Sequence, residues 1–263
     1  MMDRKDVKVK TVQAVDRTLG ILDTLGKEGV PMTLTALSAE LKLNISTVHR
    51  LLSTLIVWGF VEQELDTGKY KLGIKAFEIG NAVFKNLDLC KVAKPILKDL
   101  VEKFSETVNL AVLDGREVVY IEQVESKNVI KMMAKPGTRG PAYCTGSGKT
   151  LLAKLTDREI DRMFGKYNFI KYTENTVDSV ERLKEKLDEI RKKGYAIDQE
   201  EIEAGVRCAA VPVYNHEGNM VAALSITGPG NRLSYEYLKD EIVPELLSAA
   251  MQISRSLGNH HIR

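Results

Sequence analysis

The run Gly146-Ser147-Gly148-Lys149-Thr150 is the stretch that comes nearest to a known chemical motif, because Gly-Lys-Thr ends the phosphate-binding loop of many nucleotide-binding proteins. That loop also needs a glycine five residues before Gly148, where this sequence has Tyr143. No strand of buried apolar residues leads into the run, so the sequence disfavours nucleotide binding. A glycine-rich turn that opens a helix, here predicted over residues 150–155, still offers free backbone N–H groups. We therefore predict that the turn at Gly146 and Ser147 binds a carboxylate or a phosphate.

The cysteines and histidines lack the spacing of a metal site or of a catalytic nucleophile. Cys90, Cys144 and Cys208 are far apart and form no Cys-x-x-Cys, which argues against a zinc site and a disulfide framework and favours a reducing cytosol. The histidines stand beside no cysteine or carboxylate at ligand spacing; they are His49, His216, His260 and His261. We expect no catalytic residue, no metal and no cofactor.

Polar side chains on the helix predicted over residues 44–58 suit DNA recognition. The apolar residues recur at helical steps and form an inward stripe: Ile45, Val48, Leu52, Leu55 and Ile56. Short hydrogen-bonding residues and one arginine lie off that stripe: Ser46, Thr47, His49, Arg50 and Ser53. They occupy the first turns, where a recognition helix meets base edges and phosphates.

The neighbouring elements complete a winged helix-turn-helix. A first helix is predicted over residues 12–26, with Gly26 as its C-cap, and a second over residues 33–41, with Thr33 as its N-cap. The short connection to the recognition helix predicts a helix-turn-helix in which Asn44 takes any left-handed conformation. Downstream, residues 60–64 and 69–72 read as two strands around a four-residue turn.

Length and charge leave the chain's partners open. At 263 residues the chain exceeds one average domain, and its net charge of +2 points to no strongly basic protein. The case for DNA therefore rests on the helix pattern. No signal peptide opens the sequence and no 18 apolar residues run together, so we expect a soluble, cytoplasmic protein that does not bind a membrane.

The second half of the chain predicts an α+β domain with an antiparallel sheet. Residues 73–89 form a connecting helix with apolar groups on more than one side, which suggests a surface shared between subunits. After a helix over residues 90–104, the period of apolar residues changes to two. Strands are predicted at residues 109–113, 118–124, 129–133, 208–214 and 220–226, and further helices at 156–164, 177–193 and 234–257, the helix at 177 starting with a capping box from Asp178 to Glu181.

With these elements in place, the chain resembles the IclR family of bacterial transcriptional regulators. The segments that carry the resemblance span the whole chain: STVHRLLSTL at 46–55, YKLG at 70–73, PAYCTGSGKTLLA at 141–153, GYAIDQEE at 194–201 and AGVRCAAVPVYNHEGNMVAALSITGP at 204–229. The resemblance implies a DNA-binding domain at 1–72, a connecting helix at 73–89, a GAF-like effector-binding domain at 90–258 and a tail at 259–263. It also implies a homodimer or a dimer of dimers.

The resemblance also implies two sets of site residues. Double-stranded operator DNA is expected to contact Thr35, Ser46, Thr47, His49, Arg50, Lys69 and Lys71. A small carboxylate effector, a keto, sugar or aromatic acid, is expected to contact Met132, Gly146, Ser147, Asp198, Cys208, Ser225 and Thr227. A ligand-controlled repressor is favoured over an activator.

Two alternatives from other functional classes stay open at this point. One is an enzyme that uses a cleft in the second domain, with the winged domain serving only for protein contacts. The other is a nucleotide-dependent switch built on Gly148, Lys149 and Thr150.

Overall fold

The computed structural model describes residues 11–85, 88–132 and 135–259. Contacts divide these residues into two compact units, which separate between residues 87 and 88. Each unit has its own sheet. No helix among the described residues is long and apolar enough to cross a membrane.

The first unit is a winged helix-turn-helix. Its elements are α1 (Gln13–Glu28), α2 (Leu34–Leu41), α3 (Ile45–Val57), β1 (Val61–Gln63), β2 (Tyr70–Leu72) and α4 (Ile74–Lys85). The two strands pair antiparallel and form the wing. The apolar stripes of the three helices meet in one core, made of Ile21, Leu25, Leu37, Val48, Leu52, Leu55, Val61 and Tyr70.

Two details of this unit differ from the sequence predictions. Helix α1 continues past Gly26 to Glu28, and Gly29 ends it with a left-handed φ of 65°. The left-handed residue of the turn between α2 and α3 is Lys42 (φ 53°), whereas Asn44 is extended and precedes the first residue of α3. The turn needs its left-handed residue directly after the last helical residue of α2, because there the N–H groups fold back onto the final carbonyls.

The second unit is a six-stranded antiparallel sheet with helices on both faces. Its strands are β3 (Thr107–Asp114), β4 (Glu117–Val124), β5 (Arg139–Pro141), β6 (Ala196–Gln199), β7 (Val206–Tyr214) and β8 (Met220–Pro229), in the order β5-β4-β3-β8-β7-β6. Its helices are α5 (Asp88–Phe104), α6 (Gly146–Leu152), α7 (Asp157–Phe164), α8 (Val180–Lys193), α9 (Tyr235–Tyr237) and α10 (Val243–Ser256). A π-helical turn, Leu238–Ile242, joins the last two helices.

The two faces of the sheet differ in chemistry. On one face, Val108, Leu110 and Leu224 are completely buried, and α5 and α10 pack against the strands that carry them. The other face carries Cys208 and Ala210, which approach the first residue of α6. Since side chains alternate along a strand, α6 covers the residues that alternate with the apolar ones. The buried polar residues of the strands lie on that second face: Thr107, Asn109, Asp198 and Ser225.

Several predicted elements of the second unit are corrected. Residues 129–132 form no strand, since Val129 is 99% exposed and pairs with nothing among the described residues, and Met133 lies outside them. The strands β5 and β6 had no predicted counterpart. Helix α6 begins at Gly146, so the predicted turn is its first turn. Helix α8 begins at Val180 with Ser179 as its N-cap, so the capping box predicted from Asp178 is wrong.

Candidate functional site

One side of α3 exposes the polar residues predicted to contact DNA. Ser46, His49 and Arg50 are exposed, whereas Val48 and Leu52 are buried in the core. Steps of three residues and one residue keep the three polar side chains on the same side of the helix. Thr47 is partly buried. This side of α3 offers hydroxyl, imidazole and guanidinium groups, which can bond to base edges and to phosphates.

The other predicted DNA contacts lie on neighbouring elements of the same unit. Thr35 is exposed in the first turn of α2, with its hydroxyl 3.4 Å from that of Thr33, the residue that caps the helix. Lys69 and Lys71 are exposed on the wing. The Lys71 ammonium lies 3.8 Å from a Glu62 carboxylate oxygen, so that cation is shared with an acidic neighbour.

A row of polar side chains crosses the sheet beneath α6. Asp198 pairs directly with Cys208, Cys208 with Thr227, and Thr227 with Thr107, across four neighbouring strands. Directly opposite residues point to the same face, so these four side chains share the face that α6 covers. Thr227 is partly buried and the other three are buried. An interior position would ordinarily carry apolar residues, so the row is a candidate binding surface.

A second row lies two residues further along the strands. Ser225 pairs with Asn109, and both are buried. The Asn109 Oδ1 accepts a hydrogen bond of 2.8 Å from Gln123 Nε2. The Ser225 Oγ is fully enclosed and makes no hydrogen bond of normal geometry among the described residues, and the Cys208 thiol beside it is only a weak partner. A buried hydroxyl without a partner is unfavourable, so this atom is expected to meet a ligand or solvent group.

Gly146 lets α6 approach the polar rows closely. A methyl group at Gly146 would lie 3.1 Å from Cys208 Sγ and 3.5 Å from Asp198 Cβ, which leaves little room for a side chain. Ser147, the next residue of the helix, is buried. The first turn of α6 therefore closes over the Asp198 end of the row.

The backbone donors of this turn are largely used by the protein itself. The Gly146 N–H donates to the Asp198 carboxylate, which also accepts the Glu201 N–H at 3.0 Å. The Gly148 N–H donates to Thr145 Oγ1 at 3.1 Å. The prediction of free N–H groups is thus wrong for both glycines, because the helix begins earlier than predicted and its first donors already have acceptors.

Burial controls the ionisation of the titratable groups in this region. It raises the pKa of Asp198 to about 7, with Lys149 opposing the rise and Glu201 adding to it. Burial and then the Asp198 carboxylate raise the pKa of the Cys208 thiol to about 12. The pKa of Tyr120 is raised first by burial and then by the nearby Cys208 and Asp198 side chains, so the Tyr120 hydroxyl lies near the same groups. The thiol is neutral at physiological pH, which makes it a poor nucleophile and a poor metal ligand.

Met132 reaches this region through its backbone. Its carbonyl accepts a hydrogen bond of 3.1 Å from Thr107 Oγ1, and its side chain is partly buried. The structure therefore brings together the sequence-predicted effector residues Gly146, Asp198, Cys208, Ser225 and Thr227, with Ser147 adjoining through α6 and Met132 through Thr107.

Sequence reasoning missed four polar residues of the covered face: Thr107, Asn109, Tyr120 and Gln123. A signal existed for the first two, since Thr107 and Asn109 alternate with the apolar Val108 and Leu110, although only Asn109 lies in the strand predicted at residues 109–113. Assigning that alternation to the face beneath α6 requires the strand order, which the sequence did not provide.

Lys149 does not occupy the position that a nucleotide-binding lysine would need. It is almost completely buried and forms an ion pair with Glu201. Its neighbour Thr150 donates through its hydroxyl to the Ala210 carbonyl at 3.3 Å. Both side chains fasten α6 to the rest of the unit, which argues against the nucleotide switch.

The described residues offer no candidate metal site. No group of three or more His, Cys, Asp or Glu residues in the described ranges could hold a metal ion. His49 and His216 are exposed, and His260 and His261 lie outside those ranges.

Comparisons with known proteins match both units. The family model for the IclR helix-turn-helix domain matches residues 14–65, and the model for the C-terminal domain of bacterial transcriptional regulator IclR matches residues 81–255. The chain is 38% identical to the HTH-type transcriptional regulator XynR of Escherichia coli K12, over 94% of this chain and 98% of that protein. It is also 38% identical to the HTH-type transcriptional repressor AllR of Klebsiella pneumoniae, over 95% of this chain and 91% of that protein.

A solved structure adds a bound ligand to the comparison. An IclR homologue from Microbacterium hydrocarbonoxydans, crystallised with 4-hydroxybenzoate, superposes with a TM-score of 0.81 and 27% identity, over 93% of this chain and 99% of that one. The fold and both families are those of transcriptional regulators rather than of enzymes.

Proposed function

This chain belongs to the IclR family of bacterial transcriptional regulators, and from that premise we propose that it is a repressor whose operator affinity is controlled by a small organic acid. The enclosed polar rows beneath α6, with the unpartnered Ser225 hydroxyl among them, carry the proposal. The name of the related AllR protein supports repression.

The proposed effector is a keto, sugar or aromatic acid that lies between the first turn of α6 and the sheet. The hydroxyls of Ser147, Ser225 and Thr227 can donate to its oxygens. Asp198 can accept a ligand hydroxyl when ionised, and it can donate to a ligand oxygen when protonated. Because its pKa is raised to about 7, both forms are populated near neutral pH. The 4-hydroxybenzoate complex of a structural neighbour supports an acid of this size.

Calorimetric titration of the full chain tests the effector class. The panel pairs each acid with a neutral analogue: 4-hydroxybenzoate with 4-hydroxybenzyl alcohol, and gluconate with sorbitol. At least one acid should bind, its neutral partner should not, and Ser225→Ala should weaken binding by about 10- to 150-fold, since one hydrogen bond to a charged group contributes roughly 1.5–3 kcal/mol. If only neutral compounds bind, or if Ser225→Ala changes nothing, the proposed pocket chemistry is wrong.

DNA binding is proposed to depend on the exposed side of α3, with Arg50 as its one cation. Arg50→Ala should weaken binding to a duplex from upstream of the protein's own gene by about 1–3 kcal/mol, the value of one good base or phosphate contact. Arg255→Ala is the matched control, because Arg255 is exposed in the second unit. Equal losses for the two variants, measured by anisotropy at one salt concentration, would reject the assignment.

We further propose that the protein is a homodimer through its first unit. That unit exposes apolar side chains on two helices: Val12, Val15 and Leu19 on or next to α1, and Ile74, Phe77 and Ile79 on α4. Exposed apolar surface of this extent marks an interaction site, and a dimer would explain the two half-sites that helix-turn-helix proteins read. Sedimentation should give a dimer for the wild type and a monomer for Leu19→Ser with Phe77→Ser. A wild-type monomer at micromolar concentration, with and without DNA, would contradict this proposal.

A further inference from the structure

A cleft of about 270 Å³ lies at the edge of the sheet in the second unit, beside β6 and α8. Since β6 is the last strand of the sheet, its outer edge pairs with no other strand in the part of the chain that the structure describes. The charged side chains that line the cleft are Lys149, Arg182, Lys186, Glu189, Lys193 and Glu201.

The base of the cleft is an ion pair that is only partly satisfied. Lys149 and Glu201 are both more than nine-tenths buried. A lysine ammonium has three N–H donors, and among the described residues it bonds only to Glu201 Oε1. Glu201 Oε2 is enclosed and has no hydrogen-bond partner there. The pair thus retains donors on one member and an acceptor on the other, next to open space.

Such a pair costs free energy unless another group completes it. A buried carboxylate oxygen without a partner loses its solvation and regains nothing. A single hydroxyl group could satisfy both members, because it accepts from the Lys149 ammonium and donates to Glu201 Oε2.

The rim of the cleft adds positive charge. Arg182, Lys186 and Lys193 line it on α8, and one lining carboxylate, Glu189, lies between the two lysines. The Arg182 guanidinium also lies 3.4 Å from the carboxylate of Asp178, which does not line the cleft. The Glu189 oxygens are 3.7 Å from the Lys186 ammonium and 3.5 Å from that of Lys193, so both contacts are long. Counting the pair at the base, the six side chains carry four cations against two carboxylates. An anion is therefore favoured at the rim.

We propose that this cleft is a second ligand site, which binds a small anion that carries hydroxyl groups. A hydroxyl of the ligand bridges Lys149 and Glu201, and its anionic group lies among Arg182, Lys186 and Lys193. The cleft lies beside the polar rows beneath α6 and does not include them: Ser225 and Thr227 do not line it, and Ile197, which does, alternates with Asp198 along β6. At its base, Lys149 and Glu201 adjoin Asp198, so the two sites are neighbours. The proposal does not depend on the identity of the effector.

The test uses glycerol 3-phosphate as the probe, titrated into the full chain by calorimetry. Glycerol 3-phosphate should bind, whereas inorganic phosphate, which lacks the bridging hydroxyl, and glycerol, which lacks the charge, should each bind at least about tenfold more weakly. Phosphate binding as tightly as the probe would overturn the role of Lys149 and Glu201 and hence the proposal.

Matched variants locate the binding. Lys186 and Lys193 are half-exposed, so the double change Lys186→Ser with Lys193→Ser should leave the fold intact and weaken probe binding by about tenfold or more. Lys192→Ser, on the same helix but outside the cleft, and Ser225→Ala should leave the affinity within about twofold. No saturable binding up to about 10 mM, which is weaker than a ΔG of about −3 kcal/mol, or loss of binding in Ser225→Ala alone, would refute the second site.

Discussion

Ser225 and Ser254 are two buried serines of the second unit with opposite hydrogen bonding. The Ser254 hydroxyl donates to the Ala250 carbonyl at 2.7 Å and accepts the Tyr214 N–H at 2.9 Å. The Ser225 hydroxyl makes no hydrogen bond of normal geometry among the described residues and has only the weakly bonding Cys208 thiol beside it. In a protein without effector, one serine therefore stabilises the fold and the other imposes a solvation cost.

This difference predicts opposite effects of the same substitution. Ser225→Ala should leave the free energy of unfolding unchanged or raise it by up to about 2 kcal/mol, because it removes an unsatisfied buried group. Ser254→Ala should lower it by about 1–3 kcal/mol, since the Tyr214 N–H loses its acceptor. Urea unfolding followed by circular dichroism measures both. A comparable loss in the two variants would mean that Ser225 has a structural partner and is not held open for a ligand.

Asp198 makes stability depend on pH, and the sign follows from its raised pKa. The folded protein holds the Asp198 proton up to about pH 7, whereas the unfolded chain releases it near the ordinary value of 3.8. Between these values the folded state binds more protons, so the contribution of Asp198 to the free energy of unfolding falls as pH rises, by at most about 1.4 kcal/mol per pH unit. Below the lower value the contribution is complete, and above the upper one it is lost.

Asp198→Asn should remove this dependence. The amide oxygen can still accept the Gly146 and Glu201 N–H groups, and no charge develops as the pH rises. The stability of the variant relative to the wild type should therefore increase from pH 4 to pH 7 and stay constant above that, as measured by urea unfolding at each pH. A difference that is flat across this range would show that Asp198 is already ionised at low pH in the folded protein.

At the scale of single residues, the sequence predicted some of the polar residues beneath α6 and missed others. Asp198, Cys208, Ser225 and Thr227 were predicted through family resemblance, and they meet across the sheet. Asn109 was missed, because a polar side chain on a strand can be assigned to a binding surface only when the residues opposite it on the neighbouring strands are known. Register between distant strands is a long-range property, so local periodicity cannot supply it.

The turn between α2 and α3 is an element with identifiable local strain. Lys42 adopts φ 53°, ψ 42°, in a region where a side chain other than glycine costs about 1–2 kcal/mol. The surrounding hydrogen bonds hold it there: Ser38 Oγ donates to the Leu43 carbonyl at 2.5 Å, and the Leu43 N–H donates to the Ser38 carbonyl at 3.1 Å. The helix-turn-helix thus imposes a conformation that its sequence does not favour.

Lys42→Gly should relieve that strain. Lys42 is exposed, so no packing is lost, and the free energy of unfolding should rise by about 0.5–1 kcal/mol once the greater chain entropy of glycine is deducted. Lys27→Gly is the matched control, because Lys27 is exposed within α1, where glycine should destabilise by about 1 kcal/mol. Fluorescence of the single tryptophan, Trp58, reports on the first unit during urea unfolding. Equal destabilisation by the two substitutions would contradict the strain argument.

Among the elements, the helices and hairpins were predictable and the edge strands were not. Helix α3 and strands β3, β4, β7 and β8 carry strong apolar periodicity next to turn or capping residues, and they lie close to where the sequence puts them. Strand β5 is Arg-Gly-Pro and β6 is Ala-Ile-Asp-Gln, which are too short and too polar to show a period. Conversely, Val129 and Ile130 are apolar but exposed, and their pattern predicted a strand with which no described strand pairs.

At the scale of the whole molecule, the nearly balanced charge limits how the protein can bind DNA. The net charge of +2 cannot supply strong nonspecific attraction to DNA, and the wing carries Glu62, Glu64 and Asp66 beside its two lysines. Specific binding must then come from few contacts per chain, which is the situation in which doubling the contacts through a dimer gains most. A palindromic operator is the expected counterpart of such a dimer.

Effector binding and operator binding are expected to be linked through the protein. A ligand can change operator affinity only as far as it binds the DNA-free and DNA-bound proteins differently, and a typical coupling of about 1–3 kcal/mol corresponds to a change of roughly 5- to 150-fold. Thermodynamic reciprocity requires that operator DNA change the affinity for the same acid by the same factor. If the acid releases the repressor from DNA, the acid should lower the affinity for the operator, and the operator should lower the affinity for the acid.

Two titrations measure that factor independently. Anisotropy gives the operator affinity with and without saturating acid, and calorimetry gives the acid affinity with and without saturating duplex. The two ratios should agree, and in Ser225→Ala the acid should act only at concentrations raised by its loss of affinity. If an acid binds beneath α6 but leaves operator affinity unchanged, that acid is not the regulator. A ligand that binds the DNA-free and DNA-bound proteins equally well cannot shift the equilibrium between them.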